Sequence, residues 1–138
     1  METMDKLLST TLQSKPLTHF RLKHLAAIAQ TSEDHISRLG LGLSMAAGPI
    51  NPEWQPSVSN SEKLLTIEIN EKQIRGKTLF KGDLAIWMAL TLRHQIPENY
   101  DEWRQVMRSH WERGVEILMK RAVKEGDWLR TIRACVPD

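Results

Sequence analysis

The chain has 138 residues, of which 41% are hydrophobic and 26% are charged, and its formal net charge is +2. This length suits one compact domain, and this composition is ordinary for a globular protein. The apolar runs fall well short of the ~20 residues that a membrane-spanning helix needs, and the N-terminal residues lack the apolar segment of a signal peptide. Cys135 is the single cysteine, which excludes an internal disulfide and a thiolate metal cluster. We therefore expect a cytoplasmic protein with no membrane segment.

The N-terminal residues predict a short strand followed by a helix. We expect residues 1–9 to be flexible and the stretch from Thr10 to Ser14 to be extended. Pro16 suits the first turn of a helix, where its missing N–H group is not needed. An apolar stripe at helical spacing then continues this helix to about Gln30.

A second helix is predicted to begin after Ser32, whose side chain can cap it, and to end before residue 48. Gly40 and Gly42 inside it weaken a helix intrinsically, so we expect another element to pack closely against them. Residues 48–62 contain three prolines and predict an irregular loop. Trp54 lies in this polar loop, and we expect it to be exposed.

The C-terminal half predicts one strand and three helices. Apolar and polar residues alternate over Leu64–Ile74, which is the period of a half-buried strand. Helical stripes follow over Asp83–Gln95 and Asn99–Lys124, and Gly126 separates the latter from a short terminal helix. The fold class expected is mainly α: a compact, multi-helix single domain over residues 1–138, with one or two short strands.

Three neighbouring residues of the long helix are interpreted as packing residues. Gly114 lies on the apolar stripe, and an interior glycine costs a helix about 1 kcal/mol relative to alanine. We infer that its missing side chain admits a neighbouring helix or a large ring. His110 on the same stripe is interpreted as a hydrogen-bonded core residue, and Arg113 as a partner for an acid or for a helix C-terminus across a packing interface.

The sequence contains no motif that indicates catalysis. It has no phosphate-binding glycine loop, no dinucleotide-binding glycine motif, no metalloprotease motif and no serine-hydrolase motif. The five histidines are scattered, and the carboxylate pairs lie where helix capping explains them. Cys135 is expected to be inert. The sequence therefore predicts a protein that is not an enzyme and that holds no metal and no cofactor.

Basic residues are distributed unevenly along the chain. No acidic residue occurs between Lys6 and Ser32, or between Lys72 and Gly82, although both windows contain several lysines and arginines. This asymmetry favours an electropositive face that binds phosphate, and a solvated surface with chance clustering is the alternative.

Three sequence blocks together resemble the DndE family, the small subunit of bacterial DNA phosphorothioation systems. They are SEDHISRLGLGLSM (Ser32–Met45), GKTLFKGDLAIWMALTLRH (Gly76–His94) and HWERGVEILMKR (His110–Arg121). The last block is similar to the family's His-x-x-Arg-Gly-Val signature and is the most specific. Their order and spacing agree with the family, and the resemblance covers about Leu12 to Leu129.

The resemblance implies a compact, mostly helical subunit that assembles as a homotetramer. Proteins of this family act with an ATPase-like and a sulfur-transferring protein in replacing a phosphate oxygen of DNA by sulfur, and they bind nicked duplex DNA. The sulfur chemistry then belongs to the partner proteins, which agrees with a chain that carries no catalytic motif.

We predict that a basic surface of this chain binds the DNA backbone. Arg38 matches an arginine in the family's second-helix block, and the other candidates are chosen because they cluster in the basic windows. The predicted DNA-binding residues are Lys15, Arg21, Lys23, Arg38, Lys72, Arg75 and Lys77.

Two other functions are compatible with the sequence. The order of one strand and two helices resembles ribbon-helix-helix transcriptional regulators, which would require the strand near Thr10–Ser14 to pair with a second copy. A purely protein-binding assembly subunit, docking a partner through Trp54 and the 48–62 loop, is the other alternative.

Overall fold

The structure, a computed structural model, describes residues 2–136 and shows a mainly α, single-domain fold. This part of the chain contains eight helices and one two-stranded antiparallel sheet. The elements are α1 (Glu2–Ser9), β1 (Thr11–Gln13), α2 (Pro16–Ala29), α3 (Glu33–Ala46), α4 (Asn60–Leu65), β2 (Gln73–Arg75), α5 (Gly76–Phe80), α6 (Leu84–Leu92), α7 (Tyr100–Glu125) and α8 (Trp128–Cys135).

Helix α7 is the central element, and α1, α2, α3 and α8 all pack against it. The side chain of Asn99 caps its start by accepting a hydrogen bond from the N–H of Glu102, and Gly126 ends it in the left-handed conformation. Its buried stripe includes Trp111, which is fully buried. The long helix predicted from the 3.6-residue apolar period is therefore confirmed.

Helices α3 and α7 meet at two glycines. A Cβ atom on Gly114 would overlap the backbone carbonyl of Gly40, and a Cβ on Gly40 would lie 3.0 Å from backbone atoms of Gly114 and Val115. The two backbones therefore touch directly: no larger residue fits at Gly114, and a side chain at Gly40 would require α7 to shift by a few tenths of an ångström. The close packing expected at Gly40 and Gly114 is confirmed, but the close approach expected at Gly42 is wrong, because a Cβ there would make only an ordinary contact of 3.8 Å with the side chain of Trp87.

The sheet joins the N-terminal region to the middle of the same chain. Thr11 of β1 faces Arg75 of β2, and Leu12 faces Ile74, with the latter pair pointing into the core. A strand near Thr10–Ser14 is thus confirmed, but its hydrogen-bonded partner is β2. A ribbon-helix-helix protein instead pairs this strand with a second copy.

Two local predictions are wrong. Residues 2–9 form α1 instead of a flexible segment, because Leu7 is fully buried in the core. The strand predicted over Leu64–Ile74 is reduced to Gln73–Arg75, and the helix α4 precedes it. Ser59 and Glu62 form a reciprocal capping box that starts this helix, so it also takes the last three residues of the predicted 48–62 loop.

No helix within residues 2–136 has both the length and the apolar content that crossing a bilayer requires.

Candidate nucleic-acid interface

Arg21 is buried and ion-paired, so it cannot contact DNA. Only 2% of the residue is exposed. Its Nε and Nη2 donate to the two carboxylate oxygens of Glu62 at 3.0 and 3.1 Å, and its Nη1 donates to Glu116 at 3.0 Å. A further hydrogen bond goes to the carbonyl of Ser57. Arg21 therefore ties α4 and the preceding loop to α2 and α7, which corrects its predicted DNA-binding role.

The pKa of Glu62 reflects this buried ion pair. Burial alone would raise the pKa of its carboxyl, but hydrogen bonds from Arg21 and Ser59 outweigh burial and hold the pKa below its ordinary value. The carboxylate is therefore ionised at neutral pH, and the charge of Arg21 is neutralised.

Lys72 is also neutralised by acids. Its Nζ lies 3.2 Å from a carboxylate oxygen of Glu33 and 3.7 Å from one of Asp34, both in the first turn of α3. Lys23 is half-exposed and lies 3.9 Å from the other oxygen of Glu33. Both lysines therefore lie beside acidic groups of their own chain, and their roles in DNA binding stay predictions.

The remaining basic residues of the second window surround α5. Arg75, Lys77 and Lys81 are exposed, and the half-buried Arg38 donates from Nη1 to the carbonyl of Thr78 at 2.8 Å. Among the side chains that the structure describes, those of residues 3–136, none of these four cations has a carboxylate oxygen within 4 Å. We call Arg38, Arg75, Lys77 and Lys81 the α5 basic patch. Lys81 was not among the predicted residues, although the same acid-free window contains it.

The α5 basic patch is held in place by backbone contacts. A Cβ atom on Gly76 would overlap the carbonyl of Leu7 and lie 3.1 Å from the Cα of Leu8, so α5 rests directly on α1. On its other side, Arg38 of α3 binds the carbonyl of Thr78. The cations of this patch therefore project from a fixed backbone.

Two further cations lie near the sheet. Arg104 of α7 donates to the hydroxyl of Thr10 at 3.2 Å and to the carbonyl of Thr11, the residue that faces Arg75, at 3.0 Å. Arg104 was not among the predicted residues and lies outside both basic windows. Lys15 is exposed and follows β1, about 13 Å along the strand direction from Arg75.

Arg113 fastens the C-terminal end of α3 to α7. Its guanidinium donates to the hydroxyl of Ser44 at 2.8 Å and to the carbonyls of Ser44, Gly48 and Pro49 at 2.6, 2.8 and 3.1 Å. The carbonyl of Ser44 also accepts from the N–H of Ala47, whereas Gly48 and Pro49 lie beyond the end of α3, where an arginine can satisfy carbonyl groups. The predicted pairing of Arg113 with a helix C-terminus is confirmed.

His110 belongs to the same buried network. Its Nδ1 lies 2.8 Å from the hydroxyl oxygen of Ser44, and the residue is almost fully buried. Burial, followed by the positive charges of Arg113 and His94, lowers the pKa of His110 to about 4. His110 is therefore a neutral, hydrogen-bonded core residue, as its position on the apolar stripe predicts.

The remaining polar side chains do not assemble a second site. Within residues 2–136, no group of three His, Cys, Asp or Glu side chains is arranged to hold a metal ion. Cys135 is partly buried against the core, and Trp54 is partly buried in its loop.

The chain matches no family model, no curated protein and no solved structure. Its function has to be inferred from its own residues.

Proposed function

We propose that this chain is a DNA-binding, non-catalytic accessory subunit of a DNA phosphorothioation complex. The observation that carries the proposal is the α5 basic patch, whose four cations have no carboxylate partner among the described side chains of residues 3–136. Lys77 and Lys81 of this patch also belong to the second of the three blocks that resemble the DndE family.

Binding by this patch is directed at phosphate and does not read sequence. Lysine and arginine side chains neutralise backbone phosphates and release counterions, so affinity falls steeply as salt rises. Because α1 and α3 support α5, little backbone conformational entropy is lost on binding. A nick favours binding because it makes the duplex easier to bend onto the surface.

The proposal includes assembly as a homotetramer together with an ATPase-like and a sulfur-transferring protein. Support comes from α6, an apolar helix in which only Leu84 and Thr91 are buried. Ile86 is 59% exposed and Ile96, just beyond the helix, is 75% exposed. An apolar face of this kind is typical of a protein–protein interface. Assembly would multiply the number of α5 basic patches that contact one duplex.

The test is binding of nicked and intact duplexes by the triple variant Arg75→Glu/Lys77→Glu/Lys81→Glu. We expect the variant to lose at least tenfold in affinity for both duplexes, because three attractive contacts become repulsive. The matched control reverses three exposed cations at the end of α7 and in α8, in Lys124→Glu/Arg130→Glu/Arg133→Glu. An equal loss in both variants, or no loss in the first, contradicts the proposed surface.

The role in phosphorothioation has a separate test in the host. Deleting the gene should abolish sulfur incorporation into DNA, and the wild-type chain should restore it while the triple variant should not. Normal sulfur content in the deletion strain contradicts this role even if the purified chain binds DNA.

A purely protein-binding subunit is the second candidate, favoured by the same exposed face of α6. Copurification with partner proteins and no measurable DNA affinity at low salt would favour it. The ribbon-helix-helix alternative is disfavoured, because β1 already pairs with β2 of its own chain.

A further inference from the structure

Arg104 of α7 covers the open edge of the two-stranded sheet. Within the ladder, the carbonyl of Thr10 accepts a hydrogen bond from the N–H of Gly76 at 2.9 Å. Because hydrogen-bonded pairs alternate along an antiparallel ladder, the next residue, Thr11, belongs to a non-hydrogen-bonded pair, and its carbonyl points away from β2. Arg104 binds this outward carbonyl through Nη2 at 3.0 Å.

The guanidinium of Arg104 is held in one orientation. Its Nε donates to the hydroxyl of Thr10 at 3.2 Å, and the hydroxyl of Tyr100 donates to the same oxygen at 2.8 Å. Two anchored donors fix the plane of the guanidinium, so little side-chain entropy is lost when it binds a ligand. Arg104 is half-buried, and neither of these hydrogen bonds uses its Nη1. Donors on the outer end of the guanidinium therefore remain for an anion.

The charge of Arg104 is not neutralised by an ion pair among the described side chains. Within residues 3–136, no carboxylate oxygen lies within 4 Å of its nitrogens. Asp101 and Glu102, the acids that precede it on α7, lie in the first turn, where the helix N-terminus attracts negative charge. Glu102 also accepts a hydrogen bond from the N–H of Glu98 at 3.3 Å.

Arg104 lies next to the α5 basic patch, across the sheet. Thr11 and Arg75 face each other in the ladder, and both side chains lie on its exposed face. The Cα atoms of a non-hydrogen-bonded pair are about 4.5 Å apart, so the guanidinium bound to Thr11 lies on the order of 10 Å from the Cα of Arg75. Lys6 is exposed on α1, and its carbonyl accepts from the N–H of Thr10, so it adds a positive charge near the same edge.

We propose that Arg104 contacts a DNA phosphate beside those bound by the α5 basic patch, so that the backbone-binding surface crosses the sheet from α5 to α7. A guanidinium suits this contact, because it binds phosphate oxygens through parallel N–H groups. The inference rests on the DNA binding of the proposed function. It adds to that surface a fixed arginine from α7, an element outside both basic windows.

The test is the salt dependence of affinity for an intact duplex, measured from 50 to 200 mM salt with wild type and Arg104→Gln. Glutamine removes the charge and keeps an amide donor for the carbonyl of Thr11, and thermal unfolding should show an intact fold. The slope of log affinity against log salt should fall by about 0.9, the value for one lost phosphate contact. A purely structural role of Arg104 would leave this slope unchanged.

Two further variants serve as controls. Arg121 also lies on α7 and joins it to a neighbouring element, donating from Nη1 to the carbonyl of Ala134 at 2.7 Å, so Arg121→Gln should keep the wild-type slope. Arg104→Lys keeps the charge and should keep the slope, with weaker affinity because the bidentate guanidinium is lost.

The outcomes separate this inference from the proposed function. A wild-type slope in Arg104→Gln, an equal fall in Arg121→Gln, or an equal fall in Arg104→Lys overturns the contact of Arg104 with phosphate. If the Arg75/Lys77/Lys81 charge-reversal variant still loses affinity, DNA binding by the α5 basic patch stands without Arg104. If that variant also binds like wild type, both proposals fail.

Discussion

The two acid-free basic windows are alike in sequence, but the arginines inside them, Arg21 and Arg75, have opposite environments. In the window from Lys6 to Ser32, Arg21 is buried between Glu62 and Glu116 and serves as a structural clasp. In the window from Lys72 to Gly82, all the cations except Lys72 are free of carboxylate partners within the described residues. Local absence of acids therefore does not predict a free positive charge, because neutralising partners come from distant elements.

The largest effect expected from this comparison is on folding stability at Arg21. Arg21→Met leaves Glu62 buried without a compensating charge and leaves Glu116 with Lys120 alone, which costs about 3–5 kcal/mol in the free energy of unfolding. Lys77→Met on the α5 basic patch should change it by less than about 0.5 kcal/mol. Chemical denaturation of both variants measures the difference. Equal changes in the free energy of unfolding would contradict the distinction between the buried Arg21 and the exposed Lys77.

The buried residue His110 predicts a dependence of folding stability on pH. The folded-state pKa of His110 is about 4, below its ordinary value of 6.5. The unfolded chain therefore binds more protons between these values, so this contribution is complete above pH 6.5 and is lost as pH falls toward 4. The loss is on the order of 3 kcal/mol.

Denaturation at pH 7 and pH 4.5 checks this contribution against His110→Asn. Asparagine keeps a hydrogen-bond acceptor near the hydroxyl of Ser44 and does not titrate. The variant should lose less stability than wild type over this interval. The same loss in both proteins would mean that His110 is not the group responsible.

A smaller effect on folding stability is expected at the contact between Gly40 of α3 and Gly114 of α7. Gly114→Ala introduces a Cβ that overlaps the carbonyl of Gly40, so α3 and α7 must separate, at a cost of about 1–3 kcal/mol or more. Gly42→Ala is the matched control, because its Cβ would make an ordinary contact of 3.8 Å with Trp87. It should be neutral or stabilising by up to about 1 kcal/mol. The unfolding temperatures of the two variants should therefore shift in different directions, or by clearly different amounts.

Features with local causes were predictable from the sequence. Ser32, Asn99 and Asp127 each accept a hydrogen bond from a backbone N–H three residues later, so the starts of their helices are encoded within one turn. The Ser59–Glu62 capping box is an equally local signal for a helix start. The alternation of Leu65 and Ile67, which predicts a strand, overlaps the same segment.

Features that depend on long-range contacts were not predictable from one sequence. Glu62 and Glu116, the partners of Arg21, are 41 and 95 residues away from it. Gly40 and Gly114 each indicated a close packing contact, but nothing in the sequence around either glycine showed that the two contact each other. Buried charges and their partners become visible only when the elements are assembled.

The salt dependence of DNA affinity tests the central claim most directly. The dissociation constant of a nicked duplex is measured from 50 to 200 mM salt for wild type, for Arg75→Ala/Lys77→Ala/Lys81→Ala, and for the control Lys124→Ala/Arg130→Ala/Arg133→Ala. Each lost phosphate contact lowers the slope of log affinity against log salt by about 0.9, so the first variant should lose about two to three units. The control should keep the wild-type slope. A first variant with the wild-type slope would contradict the assignment of DNA binding to the α5 basic patch.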